Sequence, residues 1–120
     1  FIDEQKVPAE LEMDSADADA VHGVVFNRLG LPLATGRLLQ HAPGVARIGR
    51  MAVDQAVRGS RIGRLLLDAL IDVARQRGDS EVLLHAQTSA LPFYARAGFT
   101  PQGETFVEAG IEHLEMSRKL

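Results

Sequence analysis

"RMAVDQAVRGSRIGRLLLDALIDVARQRG", residues 50–78, is the stretch that decides the fold. It begins at the end of an apolar run, crosses a polar loop containing glycine, and from Ser60 to Arg77 takes up a helical period. Ile62, Leu65, Leu66, Ala69, Leu70 and Val73 fall at i, i+3, i+4, i+7, i+8 and i+11, which makes one apolar stripe. Gly78 ends the helix, with Arg75 and Arg77 in the last turn, where cations suit the backbone dipole. Its start is less ordinary. The first four N–H groups of a helix have no partner inside it, and with the dipole they form an anion site that acidic side chains usually take. Here Arg58, Arg61 and Arg64 crowd the mouth and no acid follows until Asp68. Each cation stands against the dipole at a cost of about 0.3–1 kcal/mol. A bound anion offsets that cost, and Gly59 and Gly63, which lack Cβ, let it approach the main chain. A packing glycine and a solvated arginine face explain each residue singly, but not the combination. "RGSRIGR" lacks the Gly-Lys-Ser/Thr of a Walker loop and the G-x-G-x-x-G of a dinucleotide fold.

Outward from the helix, "AVHGVVF" (20–26), "LPLATGRLL" (31–39) and "VARIGRMAV" (45–53) read as strands joined by turns short enough for antiparallel pairing. The polar, acidic segment from Val7 to Asp19, with Pro8 inside it, reads as a loop or short turn. Downstream, "EVLLHA" (81–86) reads as a buried strand and "SALPFYARAG" (89–98) as a short helix stopped by Gly98. "FTPQGETFV" (99–107) and "IEHLEMSRK" (111–119) close the chain as a hairpin turning at Glu108 to Gly110. Strands, helix, strand, helix and hairpin describe an α/β domain with a mixed sheet.

The totals narrow the function. The 120 residues, 46% apolar and 24% charged, suit one domain with one core. A net charge of −3 gives no sequence-wide positive field for nucleic acid or an anionic membrane, so neither is an expected partner. The absence of cysteine excludes disulfides, thiolate metal ligands and a cysteine nucleophile in this chain. With no apolar run of membrane-spanning length and an acidic amino end unlike a secretory signal, a cytoplasmic location is expected. His22, His41, His85 and His113 lack metal-site spacing, and the Asp14, Asp17, Asp19 run lacks the glycine and terminal glutamate of a calcium loop. No metal is expected.

Residues 50–78 resemble the acetyl-CoA-binding motif of the GNAT superfamily of N-acetyltransferases, Arg/Gln-x-x-Gly-x-Gly/Ala after a strand. Arg58 and Gly63 match its first and last positions, and Arg61 replaces its middle glycine. "QTSALPFYARAGF" (87–99) resembles the family's Asn-x-x-Ala-x-x-Phe-Tyr-x-x-x-Gly-Phe, with Gln87 at the asparagine position and Ala90, Phe93, Tyr94, Gly98 and Phe99 in place. "LHAQ" and "GETFVEAGIEHLEM" are similar to the ElaA/YjcF-like branch. The resemblance implies an α/β (α+β) fold with a GNAT-type mixed, mainly antiparallel central sheet flanked by helices. It also implies that the family's first strand and part of its first helix are missing ahead of Phe1, so that residues 1–120 form one N-terminally incomplete domain.

By the same resemblance, acetyl-CoA is the cosubstrate and a small-molecule primary amine the acceptor, with direct transfer between them. Met51, Ala52 and Val53 would meet the coenzyme along a splayed strand end, Arg58, Gly59, Ser60, Arg61, Ile62, Gly63 and Arg64 at the helix mouth, and Gln87, Phe93 and Tyr94 from the second motif. Tyr94, the sole tyrosine, is the implied general acid, since a phenol can protonate a departing thiolate. His85, His113 and Glu108 are the candidates for the base. A non-catalytic acyl-CoA-binding module of the same fold is the alternative, and a homodimer is one way to cover an open sheet edge.

Overall fold

The computed structural model describes residues 9–17, 20–54 and 61–120. Four strands come first: β1 (Ala9–Asp17), β2 (Ala20–Asn27), β3 (Pro32–Ala42) and β4 (Val45–Val53). Helix α1 (Ile62–Gln76) leads to β5 (Glu81–Gln87), a 3-10 turn (Thr88–Ala90) and α2 (Leu91–Arg96). Strands β6 (Thr100–Glu108) and β7 (Ile111–Lys119) form the closing hairpin. All seven strands share one sheet in the order β1-β2-β3-β4-β5-β7-β6. Only β4 and β5 run parallel, because α1 is the crossover between them and every other neighbouring pair is antiparallel. This is the mixed, mainly antiparallel sheet expected. At the β6–β7 turn, Ala109 and Gly110 both have positive φ, 54° and 76°, as a tight two-residue hairpin loop requires.

Two expectations need correction. The segment read as a loop from Val7 to Asp19 contains strand β1, which pairs with β2 from Ala9↔Asn27 to Asp14↔His22. Glu10 and Glu12 are exposed while Leu11 between them is half-buried, so this is an alternating edge strand whose acids mask its period. Charged residues on an outer strand also discourage pairing with another chain. The second correction concerns α1, which starts at Ile62 and buries Ile62, Gly63, Leu66, Leu67, Leu70, Ile71 and Ala74. Leu65, placed on the apolar stripe by periodicity, is 43% exposed. Three consecutive leucines leave the stripe's direction ambiguous, and the sheet resolves it.

What resolves it is a pair of glycines. Gly23 and Gly36 are register partners on β2 and β3. A Cβ on Gly23 would lie 2.7 Å from Leu66 Cδ1, and one on Gly36 would lie 2.6 Å from Met51 Sδ and 3.0 Å from Leu70 Cδ1. The helix therefore settles with Leu66 and Leu70 over a side-chain-free saddle. Both leucines are fully buried, alongside Leu38, Ile48, Val82 and Met116 from the sheet.

Two irregularities open the sheet near its middle. Strands β4 and β5 pair only from Val45↔Glu81 to Ile48↔Leu84, although β4 continues to Val53 and β5 to Gln87. On its other side β4 carries a bulge: Arg37 pairs with Gly49 but Thr35 with Ala52, so one residue of β3 faces two of β4. Arg50, in that bulge, has φ of 55°. Bulges bend the strand that carries them, and this one sits where β4 parts from β5.

Candidate active site

The parting of β4 and β5 forms a groove of about 1440 Å³, lined by Gly49 to Val53, the first turn of α1, the end of β5, and α2. Pockets for a single small ligand span roughly 300–1,000 Å³, so this one has room for two reactants. The groove brings together Met51, Ala52, Val53, Arg61, Gly63, Arg64, His85, Gln87, Phe93, Tyr94, Glu108 and His113. Ile62 is buried in the core and is not part of the wall. Arg58, Gly59 and Ser60 lie outside the described residues.

Along β4, Met51 and Val53 pack against the core cluster, while Ala52 is exposed. Among the described residues the ladder with β5 stops at Ile48↔Leu84, and Gly49 to Ala52 lie beyond it. An extended chain laid there would find main-chain groups to bond, the physics of strand addition. At the helix mouth, Arg61 is the N-cap residue, its own side chain makes no capping bond, and the first turn has no acid. Arg64 Nε donates to Asp68 Oδ1 at 3.0 Å, and its Nη1 donates to the Arg96 carbonyl oxygen at 3.4 Å. Asp68 thus supplies part of the missing counter-charge, in an exposed i,i+4 pair worth about 0.3–0.5 kcal/mol. Gly63 differs from its expected role as an open ledge for an anion. A Cβ there would lie 3.1 Å from Val53 Cγ2 and 3.6 Å from Phe93 Cζ, so its small size lets α1 close onto β4 and α2.

Tyr94 is 8% exposed and meets Phe93 and Phe99 edge-on, with ring centroids 5.0 and 6.0 Å apart. Burial raises its phenol above the ordinary value of 10.0, because the phenolate is the form that loses hydration. It is therefore a protonated hydrogen-bond donor at neutral pH. Gln87 ends β5 and is exposed.

The remaining candidates lie on the sheet face opposite α1. Leu84 and Ala86 are buried toward the core, which sends His85 to the other side with its register partner Glu115. His85 Nε2 is 3.3 Å from Glu115 Oε1. Its Nδ1 is 3.2 Å from Glu108 Oε1 and 3.1 Å from Arg47 Nη2. These last two contacts are alternatives: a neutral ring with Nε2–H toward Glu115 accepts from Arg47 at Nδ1, whereas the imidazolium donates to both glutamates. His113 Nδ1 lies 2.7 Å from the Ile111 carbonyl oxygen, to which it must donate, so in the neutral ring Nε2 holds the lone pair. Phe106 stacks on His113 and meets His85 edge-on, at 6.0 and 5.0 Å. Sequence reasoning missed Glu115, Arg37 and Arg47. Their only signal was alternation within β3, β4 and β7, which places them off the core face but does not say beside whom.

The groove is thus bounded by a splayed parallel strand pair, a helix mouth rich in arginine, and a buried tyrosine. The family described as acetyltransferase (GNAT) domain matches residues 1–120. This chain belongs to the GNAT acetyltransferases. Over 119 residues it is 35% identical to the N-acetyltransferase YjcF of Bacillus subtilis (strain 168), covering 98% of this chain and 84% of that protein. The crystal structure of Escherichia coli ElaA superimposes with a TM-score of 0.74 at 28% identity, over 87% of this chain and 74% of that one. A GNAT acetyltransferase from Elizabethkingia anophelis, solved with acetyl-CoA bound, gives a TM-score of 0.77 at 12% identity over 93% and 98% of the two chains, which shows the shared fold alone. The GNAT fold and these relatives make acyl transfer the general chemistry of this chain. Among the described residues no helix is long and apolar enough to cross a membrane, and no three His, Cys, Asp or Glu side chains are grouped to hold a metal ion.

Proposed function

We propose that this protein moves an acetyl group directly from acetyl-CoA to the primary amine of a small molecule. The observation that carries the reading is one groove shared by the stretch of β4 that has parted from β5, the first turn of α1 and Tyr94. The coenzyme's amide-bearing arm lies along β4 from Met51 to Val53, and its diphosphate lies at the helix mouth near Arg61 and Arg64. Amine nitrogen attacks the thioester carbonyl carbon, a tetrahedral oxyanion forms, and the C–S bond breaks to leave a thiolate. Tyr94 donates a hydrogen bond to that sulfur as its charge grows, and then its proton, which is replaced through solvent by the proton the attacking nitrogen sheds as the amide forms. The phenol lies above 10.0 and a thiol near 8.5, so stabilising the developing charge is its larger contribution.

The amine must be neutral to attack and loses its proton to the His85–Glu108 pair. Glu108 is half exposed, which gives that proton a way to solvent. No covalent enzyme intermediate is needed, in keeping with a chain that has no cysteine.

The test is release of free coenzyme A from acetyl-CoA with a panel of primary amines. Tyr94→Phe is expected to lower kcat about 10²–10⁴-fold while the Kd for acetyl-CoA, measured by calorimetry, changes little. Arg61 at the family's middle-glycine position favours one other reading, a module that binds acyl-CoA without turning it over. Tight binding with no release on any amine would replace the transferase reading by that one.

A further inference from the structure

We infer that the acceptor amine carries an anionic group, a carboxylate or a phosphate, and that Arg37 and Arg47 bind it above Gly49. The inference rests on the transferase reading and names the substrate class of the same groove.

The two arginines are brought together by the register of the sheet. On β3, Gly36 and Leu38 are buried toward α1, so Arg37 between them points to the opposite face. On β4, Ala46 and Ile48 are buried toward α1, which sends Arg47 and Gly49 to that same face. Arg37 pairs with Gly49 and Leu39 with Arg47, so the two guanidinium stems are diagonal neighbours. Between them Gly49 contributes no side chain, and a Cβ there would meet nothing within 4 Å. The result is a backbone-floored notch with a cation on either side, in the wall of the groove.

Nothing among the described residues neutralises it. Neither arginine has a carboxylate partner there. Arg37 Nε is the one buried side-chain nitrogen or oxygen without a hydrogen-bond partner among those residues. A buried donor left unpaired is costly, and a charged one more so. Arg47 makes one contact, to His85 Nδ1, and it holds only while that nitrogen is unprotonated. Two forked guanidinium groups match the paired oxygens of a carboxylate or phosphate.

The opposite pole adjoins Arg47, at His85. Glu108 and Glu115 flank His85 with acceptors only, suited to an ammonium approaching to be deprotonated. When His85 takes that proton it turns Nδ1–H toward Glu108 and frees Arg47 for the anion. A ligand with an ammonium at one end and an anionic group at the other satisfies both poles. A neutral alkylamine leaves Arg37 unpaired.

The test compares coenzyme A release with three acceptors of matched length: an amino acid with a terminal amine, the amide of that amino acid, and the corresponding aminoalkyl phosphate. The wild-type protein is expected to favour at least one anionic acceptor over the amide by about 10–100-fold in kcat/KM, the range set by one or two charged hydrogen bonds. Whichever is preferred decides between carboxylate and phosphate. Arg37→Gln and, separately, Arg47→Gln should remove that preference, read within each variant as the ratio of kcat/KM for the anionic acceptor to that for the amide, with the Kd for acetyl-CoA near wild type and Arg37→Lys intermediate. Equal rates on all three acceptors in the wild type would overturn the inference, as would an Arg37→Gln variant that weakens acetyl-CoA binding. If no acceptor is turned over, the transferase reading fails separately. Thermal stabilisation by the anionic amines then decides: a shift in the wild type that is absent in Arg37→Gln keeps the anion site, and no shift removes it. Should Arg37→Gln fail to fold, Arg47→Gln and the wild-type acceptor series carry the test.

Discussion

At the scale of single residues, Tyr94 shows how packing and chemistry meet. Its ring fills the space between Phe93 and Phe99, and the burial that holds it there also keeps its proton on. Because the folded phenol lies above 10.0, its usual value, the neutral form favours the folded state in full below pH 10. That contribution is lost as pH rises through the folded value. Tyr94→Phe should therefore flatten the fall in stability above pH 10 relative to wild type, as read from denaturant midpoints across pH 8 to 12. A midpoint curve parallel to wild type through that window would contradict it. That Tyr94, Phe93 and Gln87 come to one groove was legible in the sequence because the second motif fixes them by spacing. Gly63 was legible as important but not for its reason, since the side chains that crowd it, Val53 and Phe93, come from other elements.

Between elements, the decisive contact is α1 on the glycine saddle. Gly23→Ala places a methyl group where Leu66 Cδ1 now sits, 2.7 Å away, with Met13 Sδ at 3.1 Å on the other side. Overpacking of this kind costs about 1–3 kcal/mol. Gly36→Ala should cost less than Gly23→Ala, because its closest neighbour, at 2.6 Å, is the flexible end of Met51. Chemical denaturation of both variants checks the order. The same saddle explains why the helix was legible in existence but not in orientation: with Leu65, Leu66 and Leu67 in sequence, the chain alone did not say which leucine faces the sheet. Strand β1 was missed for a related reason. Its alternation of Glu10, Leu11, Glu12 and Met13 is a strand period, but one written mostly in acids, and only its ladder with β2 makes it readable. The Arg37–Arg47 notch was hidden more deeply, since it exists only once β3 and β4 are aligned past a bulge.

For the whole molecule, the sheet divides into two runs, β1 to β4 and β5-β7-β6, each stitched internally by antiparallel pairing. Among the described residues, four register pairs, the crossover helix and contacts such as Arg47 to His85 hold the runs together. Main-chain amides between Gly49 and Ala52 that point away from β3 should exchange hydrogen faster than those of Ala46 and Ile48. Saturating acetyl-CoA should slow them several-fold in exchange followed by mass spectrometry, a change absent with the free amine alone. Protection confined to α1, with β4 unaffected, would move the coenzyme away from the seam. This arrangement has a mechanical consequence. On the proposed reading, a donor molecule threaded through a half-closed seam would touch both runs, so it would act as a fastener as well as a reactant, and the cohesion of the fold would rise and fall with its supply.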